Sequence, residues 1–135
     1  MKHSVTRLIR FCYGHRLLHY QGKCRHLHGH NGLIEITMRS KKLDALGMVM
    51  DFDAIKSTIQ RWVDSELDHK LILNAKDPLI PFLRKQAQPI FLLKSNPTAE
   101  AIAELIYRYA KSQRLPVSGV KLWETADSFA EYSQR

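Results

Sequence analysis

The sequence reads HRLLHYQGKCRHLHGH from His15 to His30, and this stretch holds five of the seven histidines and one of the two cysteines. It ends in His28-Gly29-His30, with Cys24 four positions before His28. Side chains two apart on an extended strand point to the same face. His28 and His30 therefore offer two imidazoles to a single metal ion.

A third imidazole, His15, ends an alternating run that begins at Val5. Every second residue of that run faces the same way, so Phe11, Tyr13 and His15 share a face. Three neutral histidines leave a tetrahedral zinc ion with one open position, which is typical of a catalytic site. Cys24 as a fourth ligand would instead close the site, and the spacing alone leaves both arrangements open.

The length and the composition favour one small globular domain, residues 1–135. The formal net charge of +8 comes from scattered residues and suits a phosphate ester as well as nucleic acid. No apolar run approaches the ~18 residues of a membrane span. Two cysteines make no disulfide framework, and no apolar signal block follows Met1, so we expect a cytoplasmic protein.

The pattern of hydrophobic residues predicts four strands and two long helices. Asp51 is the expected N-cap of the first helix, and Pro97 the expected first helical residue of the second. The predicted ranges are strands at 4–14, 28–39, 117–125 and 129–133, a helix at 52–66, a short helix near 78–86, a small strand at 90–93 and a helix from 96 that ends before Pro116. This β-β-α-α-β-β order predicts an α+β fold, an antiparallel four-stranded sheet with both long helices on one face.

Several motifs together resemble the 6-pyruvoyltetrahydropterin synthase family, and within it the bacterial 6-carboxytetrahydropterin synthase subgroup of the queuosine pathway. Cys24-x-x-x-His28-Gly29-His30 is similar to the signature of that subgroup. The other matching segments are Phe11-x-x-x-His15, Met50-Asp51-Phe52, Leu67-Asp68-His69, Asn96-Pro97-Thr98-Ala99-Glu100 and Trp123-Glu124-Thr125. The resemblance covers nearly the whole chain.

This resemblance implies a tunnelling fold (T-fold), in which several chains form an oligomeric barrel with sites between subunits. We expect a homohexamer that binds a pterin triphosphate and has neither a nucleic-acid nor a membrane partner. The implied substrate is 7,8-dihydroneopterin triphosphate, and the implied cofactor is one Zn²⁺ per subunit. Whether Mg²⁺ accompanies the triphosphate is left open.

The resemblance also implies roles for individual residues. His15, His28 and His30 would hold the zinc ion. Cys24 would be the general base, with Asp68 and His69 as its proton relay. The substrate-binding residues would be Glu124, which grips the pterin ring, and Thr98 and Glu100, which otherwise serve only the start of a helix.

Other residues near these motifs are assigned by their position in the sequence. Arg16, Lys23 and Arg25 are candidates for the triphosphate. His19 and His26 are expected to face solvent. Cys12, on the opposite face of its strand from His15, is expected in the core.

Two segments depart from the family pattern, and the first of them bears on the substrate. Tyr13-Gly14 stands where the family has small residues, and residues 75–95 form a longer, more basic connection. The competing functions are a pyruvoyl-forming synthase, a pterin side-chain aldolase, a non-catalytic pterin-binding protein and a zinc module that binds nucleic acid. The Cys and His spacing does not match a Cys₂His₂ finger, which argues against the last of these.

Overall fold

The computed structural model describes residues 2–134 and contains one six-stranded sheet. The strands are β1 (His3–His15), β2 (His28–Ser40), β3 (Lys70–Asn74), β4 (Ile90–Leu93), β5 (Val117–Thr125) and β6 (Ser128–Ser133). Their order across the sheet is β4-β3-β1-β2-β5-β6. The pairs β1–β2, β2–β5 and β5–β6 are antiparallel, which confirms the predicted antiparallel core.

The prediction of four strands is incomplete, because β3 and β4 add two parallel strands next to β1. β3 was not predicted, although β4 lies at the predicted position. The apolar centre of β3, Leu71-Ile72-Leu73, shows no alternation of apolar and polar residues because both faces of the strand are covered. Ile72 packs in the main core, and Leu73 packs against a short helix on the other side. A continuous apolar run carries no periodicity that identifies a strand.

The helices follow the predicted apolar spacing. α1 (Phe52–Ile55) and α2 (Arg61–Glu66) are joined without a break by a π-helical turn, Lys56–Gln60. Asp51 caps α1, because its carboxylate accepts the backbone N–H of Asp53 at 2.8 Å. The two remaining α-helices are α3 (Ile80–Lys85) and α4 (Ala99–Ser112).

α4 begins at Ala99, two residues after Pro97, the predicted first helical residue. Its N-cap is Thr98, whose hydroxyl accepts the backbone N–H of Ala101 at 3.1 Å. Pro97 therefore precedes the cap instead of occupying the first helical position. A side-chain cap fixes the start of a helix more directly than the permissive preference of proline for its first turn.

The main core lies between the sheet and the two long helical segments. The strands contribute buried residues such as Ile9, Ile34 and Ile36, and the helices contribute Ile59 and Ile106. Because alternate strand residues share a face, both helical segments cover the same side of the sheet, as predicted. None of the helices within residues 2–134 has the length and apolarity that crossing a bilayer requires.

Candidate metal centre and active site

Strand pairing brings three histidines together at one end of the sheet. β1 and β2 place His15 directly opposite His28, and Tyr13 opposite His30. The ring centroid of His15 lies 4.5 Å from that of His28 and 5.0 Å from that of His30. The predicted convergence of the three imidazoles is therefore present, and it follows from the register of one hairpin.

Backbone carbonyls fix the orientation of two of these rings. His15 Nδ1 lies 2.7 Å from the carbonyl oxygen of Pro97, and His28 Nδ1 lies 2.7 Å from that of His26. A carbonyl only accepts, so each Nδ1 carries the proton and each Nε2 keeps a free lone pair. Metal-binding histidines are held in this way in many proteins.

The Nε2 atoms point at one another and fit a metal ion. His28 Nε2 is buried and lacks a hydrogen-bond partner in the part of the chain that the structure describes. His15 Nε2 and His30 Nε2 are 3.1 Å apart, and one ligand atom of each ring lies within 4.8 Å of the others. Zinc binds imidazole nitrogen at about 2.0–2.1 Å, so small ring movements would let all three contact one ion.

Burial also favours the neutral, metal-binding form of His15. Desolvation lowers its pKa to about 4, against a smaller opposite effect of the hydrogen bond to Pro97, and the neighbouring His28 and His30 add to the lowering. His15 therefore remains uncharged at neutral pH and can offer its lone pair to a cation.

Glu124, predicted to contact the pterin, lies at the histidine cluster itself. Its Oε2 atom is 3.0 Å from His30 Nε2 and 3.9 Å from His15 Nε2. Burial raises the pKa of Glu124, and the nearby Glu100 adds to the rise, whereas His30, His28 and the Ala99 N–H act in the opposite direction. The carboxylate thus lies between the Nε2 atoms of the histidine cluster and the N-terminus of α4.

Thr98 and Glu100 flank Glu124 at the start of α4. The Thr98 hydroxyl is engaged in capping the helix, and Glu100 is exposed in its first turn. The structure therefore gives Thr98 the helix-capping role directly. It brings Glu100 close enough to Glu124 to influence its pKa.

Cys24 lies in a short 3₁₀ turn, Lys23–Arg25, between β1 and β2. Its carbonyl accepts the backbone N–H of Leu17 at 2.8 Å, and its side chain is partly buried. Within residues 2–134, the group of mutually close ligand atoms contains the three histidines and excludes the Cys24 thiol. This geometry favours an open three-histidine site over one closed by Cys24.

Asp68 and His69 form a hydrogen-bonded pair beside β1. His69 Nδ1 lies 2.8 Å from Asp68 Oδ2, and Asp68 Oδ1 accepts the N–H of Cys12 at 2.9 Å. Burial alone would raise the pKa of Asp68, but the hydrogen bonds from Cys12 and His69 outweigh it and lower that pKa. The His69 side chain is 78% exposed, so its imidazole is accessible to a ligand or to another chain.

Cys12 is exposed, which contradicts its predicted place in the core. Its thiol donates to Asn31 Oδ1 at 3.0 Å. The alternation along β1 is as predicted, since Tyr13 and His15 are buried, but the opposite face of β1 is open here. A cavity of about 590 Å³ on this side is lined by Cys12, Asn31, His69 and Gln88 and reaches His28 and His30.

Tyr13 packs directly against the histidines. Its ring centroid is 5.2 Å from that of His15 and 5.6 Å from that of His30. The ring is buried beside Gly32, where an added Cβ would come within 3.1 Å of Tyr13 Cε1. Burial, with the charge of Glu124, raises the pKa of Tyr13, and its hydroxyl has no hydrogen-bond partner within residues 2–134.

Residues 16–27 between β1 and β2 form the site loop, and two residues that hold it, Asp77 and Asn96, were not predicted. Arg16 has a different role from the predicted one. Arg16 binds the buried carboxylate of Asp77, so it is not free to meet a triphosphate. Asn96 hydrogen-bonds both backbone groups of Leu18. No local pattern identifies Asp77, whereas Asn96 begins the segment Asn96-Pro97-Thr98-Ala99-Glu100, which matches the family. His19 and His26 are exposed, as expected.

Sequence comparisons identify the family of the chain. The protein-family model described as 6-pyruvoyl tetrahydropterin synthase matches residues 4–135. A Rickettsia bellii protein named 6-carboxy-5,6,7,8-tetrahydropterin synthase is 43% identical over 135 residues, which covers 95% of this chain and 98% of the relative. An Aquifex aeolicus protein of the same name is 35% identical over an alignment of 163 positions, which covers 99% of this chain and 99% of the relative.

Solved structures give the same fold. An uncharacterized protein from Wolinella succinogenes matches with a TM-score of 0.84 at 25% identity, over 100% of this chain and 99% of that one. The Caenorhabditis elegans 6-pyruvoyl tetrahydropterin synthase matches with a TM-score of 0.73 at 22% identity, over 100% and 97% of the two chains. The second likeness concerns the fold alone.

Proposed function

Because the chain belongs to the 6-pyruvoyl tetrahydropterin synthase family and has its tunnelling fold, we propose that it is a zinc-dependent 6-carboxy-5,6,7,8-tetrahydropterin synthase. The proposed reaction converts 7,8-dihydroneopterin triphosphate and one water molecule to 6-carboxytetrahydropterin, acetaldehyde and triphosphate, as a step of queuosine biosynthesis. The relatives from Rickettsia bellii and Aquifex aeolicus carry the name of this synthase, and each aligns over nearly its whole length.

One observation carries the proposal for the site: three imidazoles converge, and the His28 Nε2 atom is buried without a partner. A buried nitrogen lone pair that contacts no donor is costly unless a ligand satisfies it. His15, His28 and His30 would hold one zinc ion. When bound, zinc supplies a Lewis acid for the side-chain hydroxyls of the substrate.

Cys24 is the proposed general base that removes a carbon-bound proton. A thiolate does this best near neutral pH when cations lie close to it, and Lys23 and Arg25 flank Cys24. His69, oriented by Asp68, passes the proton on. Lys23 and Arg25 are also the remaining candidates for the triphosphate, and Mg²⁺ is a further candidate counter-ion there.

Glu124 is the proposed pterin anchor. A carboxylate accepts two N–H groups side by side, such as the amino and ring N–H groups of a pterin. Glu124 now lies against His30, and a metal-bound His30 would no longer donate to it. Its oxygens would then be available to the pterin, with Thr98 and Glu100 beside it.

We further propose that each site uses residues from two chains of a homohexamer. In support, the Cys12 side chain lies on the opposite face of β1 from Tyr13 and His15. The Asp68–His69 pair is hydrogen-bonded to the backbone of Cys12. Among residues 2–134, β4 and β6 each have one edge without a strand partner, and barrel assembly would pair such edges. Residues 1–135 are proposed as a single cytoplasmic domain, consistent with its two free cysteines.

Product analysis tests the reaction. The zinc-loaded protein is incubated with 7,8-dihydroneopterin triphosphate, and the products are identified by mass spectrometry. We expect acetaldehyde and 6-carboxytetrahydropterin, and we expect Cys24→Ala to abolish turnover. Cys12→Ala is the matched variant, because it removes the other thiol and keeps the backbone groups that bind Asp68 and His69.

The other outcomes distinguish the alternatives. A pyruvoyl product would retain the family and the metal site but would change the reaction. Full turnover by Cys24→Ala would refute the assignment of the base, and loss with Cys12→Ala alone would move that role to Cys12. Absence of turnover with zinc bound would reject this substrate.

A further inference from the structure

The loop that carries Cys24 begins at Arg16, directly after β1. Asp77, 61 residues later in the chain, binds the Arg16 side chain. The Arg16 Nε atom donates to Asp77 Oδ2 at 2.8 Å, and the Arg16 Nη2 atom donates to Asp77 Oδ1. The Asp77 side chain is fully buried, and that of Arg16 is 19% exposed. A two-point guanidinium–carboxylate pair of this kind fixes orientation as well as distance.

Asn96 holds the residue two positions further along the same loop. Its Oδ1 atom accepts the N–H of Leu18 at 3.0 Å, and its Nδ2 atom donates to the Leu18 carbonyl at 2.9 Å. Asn74 in turn donates to Asn96 Oδ1 at 3.2 Å. The Asn96 amide thus satisfies both backbone groups of Leu18 and is itself fixed in orientation.

The residue between these two contacts holds Cys24. The N–H of Leu17 donates to the Cys24 carbonyl at 2.8 Å. On the other side of Arg16, His15 donates to the Pro97 carbonyl at 2.7 Å, next to Asn96. Four consecutive residues, 15–18, therefore connect the imidazole cluster, the Cys24 turn and the segment 74–97.

We infer that Asp77 and Asn96 are positioning residues that set the place of Cys24 relative to the three imidazoles. The inference rests on the proposed function, because it takes Cys24 as the base. It also gives a role to the 75–95 connection. That connection supplies Asp77 and ends next to Asn96, so it supports the site loop from outside the site.

The expected effect is on the reaction step and not on metal binding. Asn96→Ala removes both contacts with Leu18 but leaves the three imidazoles and the Pro97 carbonyl in place. Misplacing a catalytic group by about 1 Å can lower the rate about 100-fold. We therefore expect Asn96→Ala to lower kcat about 10- to 100-fold, with KM changed less than about threefold.

The test compares variants in a Cys12→Ser parent, in which Cys24 is the remaining thiol. Each zinc-loaded variant is measured for bound metal, for the rate of Cys24 alkylation by iodoacetamide, and for kcat and KM. Asn96→Ala should alkylate several times faster, keep one metal per chain and lose kcat. Asn96→Asp retains the acceptor for Leu18 N–H and should lie between. Lys94→Ala, an exposed neighbour, is the matched control.

Two results would overturn the inference. Unchanged alkylation and unchanged kcat in Asn96→Ala would mean that the contact does not position Cys24. Loss of metal together with kcat would mean that the contact supports the imidazole cluster instead. Asp77→Asn is the second variant and is measured in the same way if Asn96→Ala does not fold.

The alkylation measurement also separates this inference from the proposed function. If the parent does not turn over 7,8-dihydroneopterin triphosphate, the proposed function fails. Faster alkylation of Cys24 in Asn96→Ala would still support positioning of the loop by Asn96, and an unchanged rate would still refute it.

Discussion

At the scale of single residues, the site is defined by which polar atoms have partners. His15 and His28 each use Nδ1 for a backbone carbonyl, so their Nε2 atoms remain for a ligand. Tyr13 and His28 each keep one buried polar atom without a partner among the described residues. Such atoms are rare in folded proteins, and both residues pack against His15 in the imidazole cluster.

Removing one imidazole should remove the metal. We expect His28→Ala to weaken zinc binding by more than the about 10- to 100-fold that loss of an outer hydrogen-bond partner costs. The measurement is zinc titration with a competing chelator. His26→Ala is the matched control, since it removes an exposed imidazole but keeps the carbonyl that orients His28. Equal affinities of the two variants would contradict the three-histidine site.

The Tyr13 hydroxyl should cost stability in the metal-free protein. It is buried without a partner, and removing an unpaired buried polar group is neutral or stabilising. We expect Tyr13→Phe to leave the free energy of unfolding unchanged or to raise it by about 1 kcal/mol. Urea unfolding measures this, with Tyr20→Phe, an exposed tyrosine, as control. A loss of more than about 1 kcal/mol would mean that the hydroxyl has a partner in solution.

The Asp77–Arg16 pair should make stability depend on acid pH. The hydrogen bond from Arg16 lowers the pKa of Asp77 below its ordinary value of 3.8, despite the opposing effect of burial. The pair therefore contributes its full stability above the unfolded pKa, and this contribution is lost as pH falls through the lower folded pKa.

Unfolding measured from pH 6 to about pH 2 should show this loss, and Asp77→Asn should flatten it. The Asp127→Asn variant, in an exposed turn, should retain the slope of the parent. Parallel curves for Asp77→Asn and the parent would show that Asp77 does not titrate differently in the two states.

At the scale of elements, the fold depends on which segments can bury a continuous apolar face. α1, the π-helical turn and α2 place Ile55, Ile59 and Val63 in the core without interruption. The π-helical turn shifts the register of that face by part of a turn, and such turns recur near functional sites. Asp68 and His69 follow this helical segment directly, so its C-terminal end sets their place.

The Asp51 cap should stabilise this segment measurably. Its carboxylate accepts the N–H of Asp53 at 2.8 Å, so Asp51→Ala leaves a helix donor without its partner. We expect a loss of about 1 kcal/mol in the free energy of unfolding. Asp64→Ala removes the same charge from an exposed position of α2 and should stay within about 0.5 kcal/mol. Equal effects of the two variants would assign the loss to charge and not to capping.

At the scale of the whole molecule, the proposed assembly explains why the candidate catalytic groups are spread over the chain. The imidazole cluster is on the helix-covered face of β1, whereas the Asp68–His69 pair is bound at Cys12, whose side chain leaves the other face. In the proposed assembly a neighbouring chain supplies the second set of catalytic groups, because homo-oligomers repeat one interface by symmetry.

Mixing two inactive variants tests this arrangement. Cys24→Ala and His69→Ala chains are unfolded together, refolded and assayed. If each site takes Cys24 from one chain and His69 from another, random assembly should restore about a quarter of the parental activity. A site within one chain would restore none. The control mixes Cys24→Ala with the Cys24→Ala/His69→Ala double variant, which should remain inactive.

The sequence by itself determined the local order of this protein and the composition of its candidate metal centre. Alternation along β1 and β2 and the His28-Gly29-His30 spacing predicted which faces the imidazoles share, because strand period depends only on neighbouring residues. The motif positions likewise predicted the family. The helix spacing predicted both long helical segments, with an error of two residues at the start of α4.

Only the tertiary structure decided which distant residues meet. The parallel strand β3, the exposure of Cys12, the contact of Glu124 with His30 and the binding of Arg16 by Asp77 depend on pairings between segments far apart in sequence. Nothing local predicts these pairings, because a buried apolar run or a single charged residue has the same pattern whatever it packs against. The physical reason is that burial and partnership belong to the folded whole, whereas periodicity belongs to each segment.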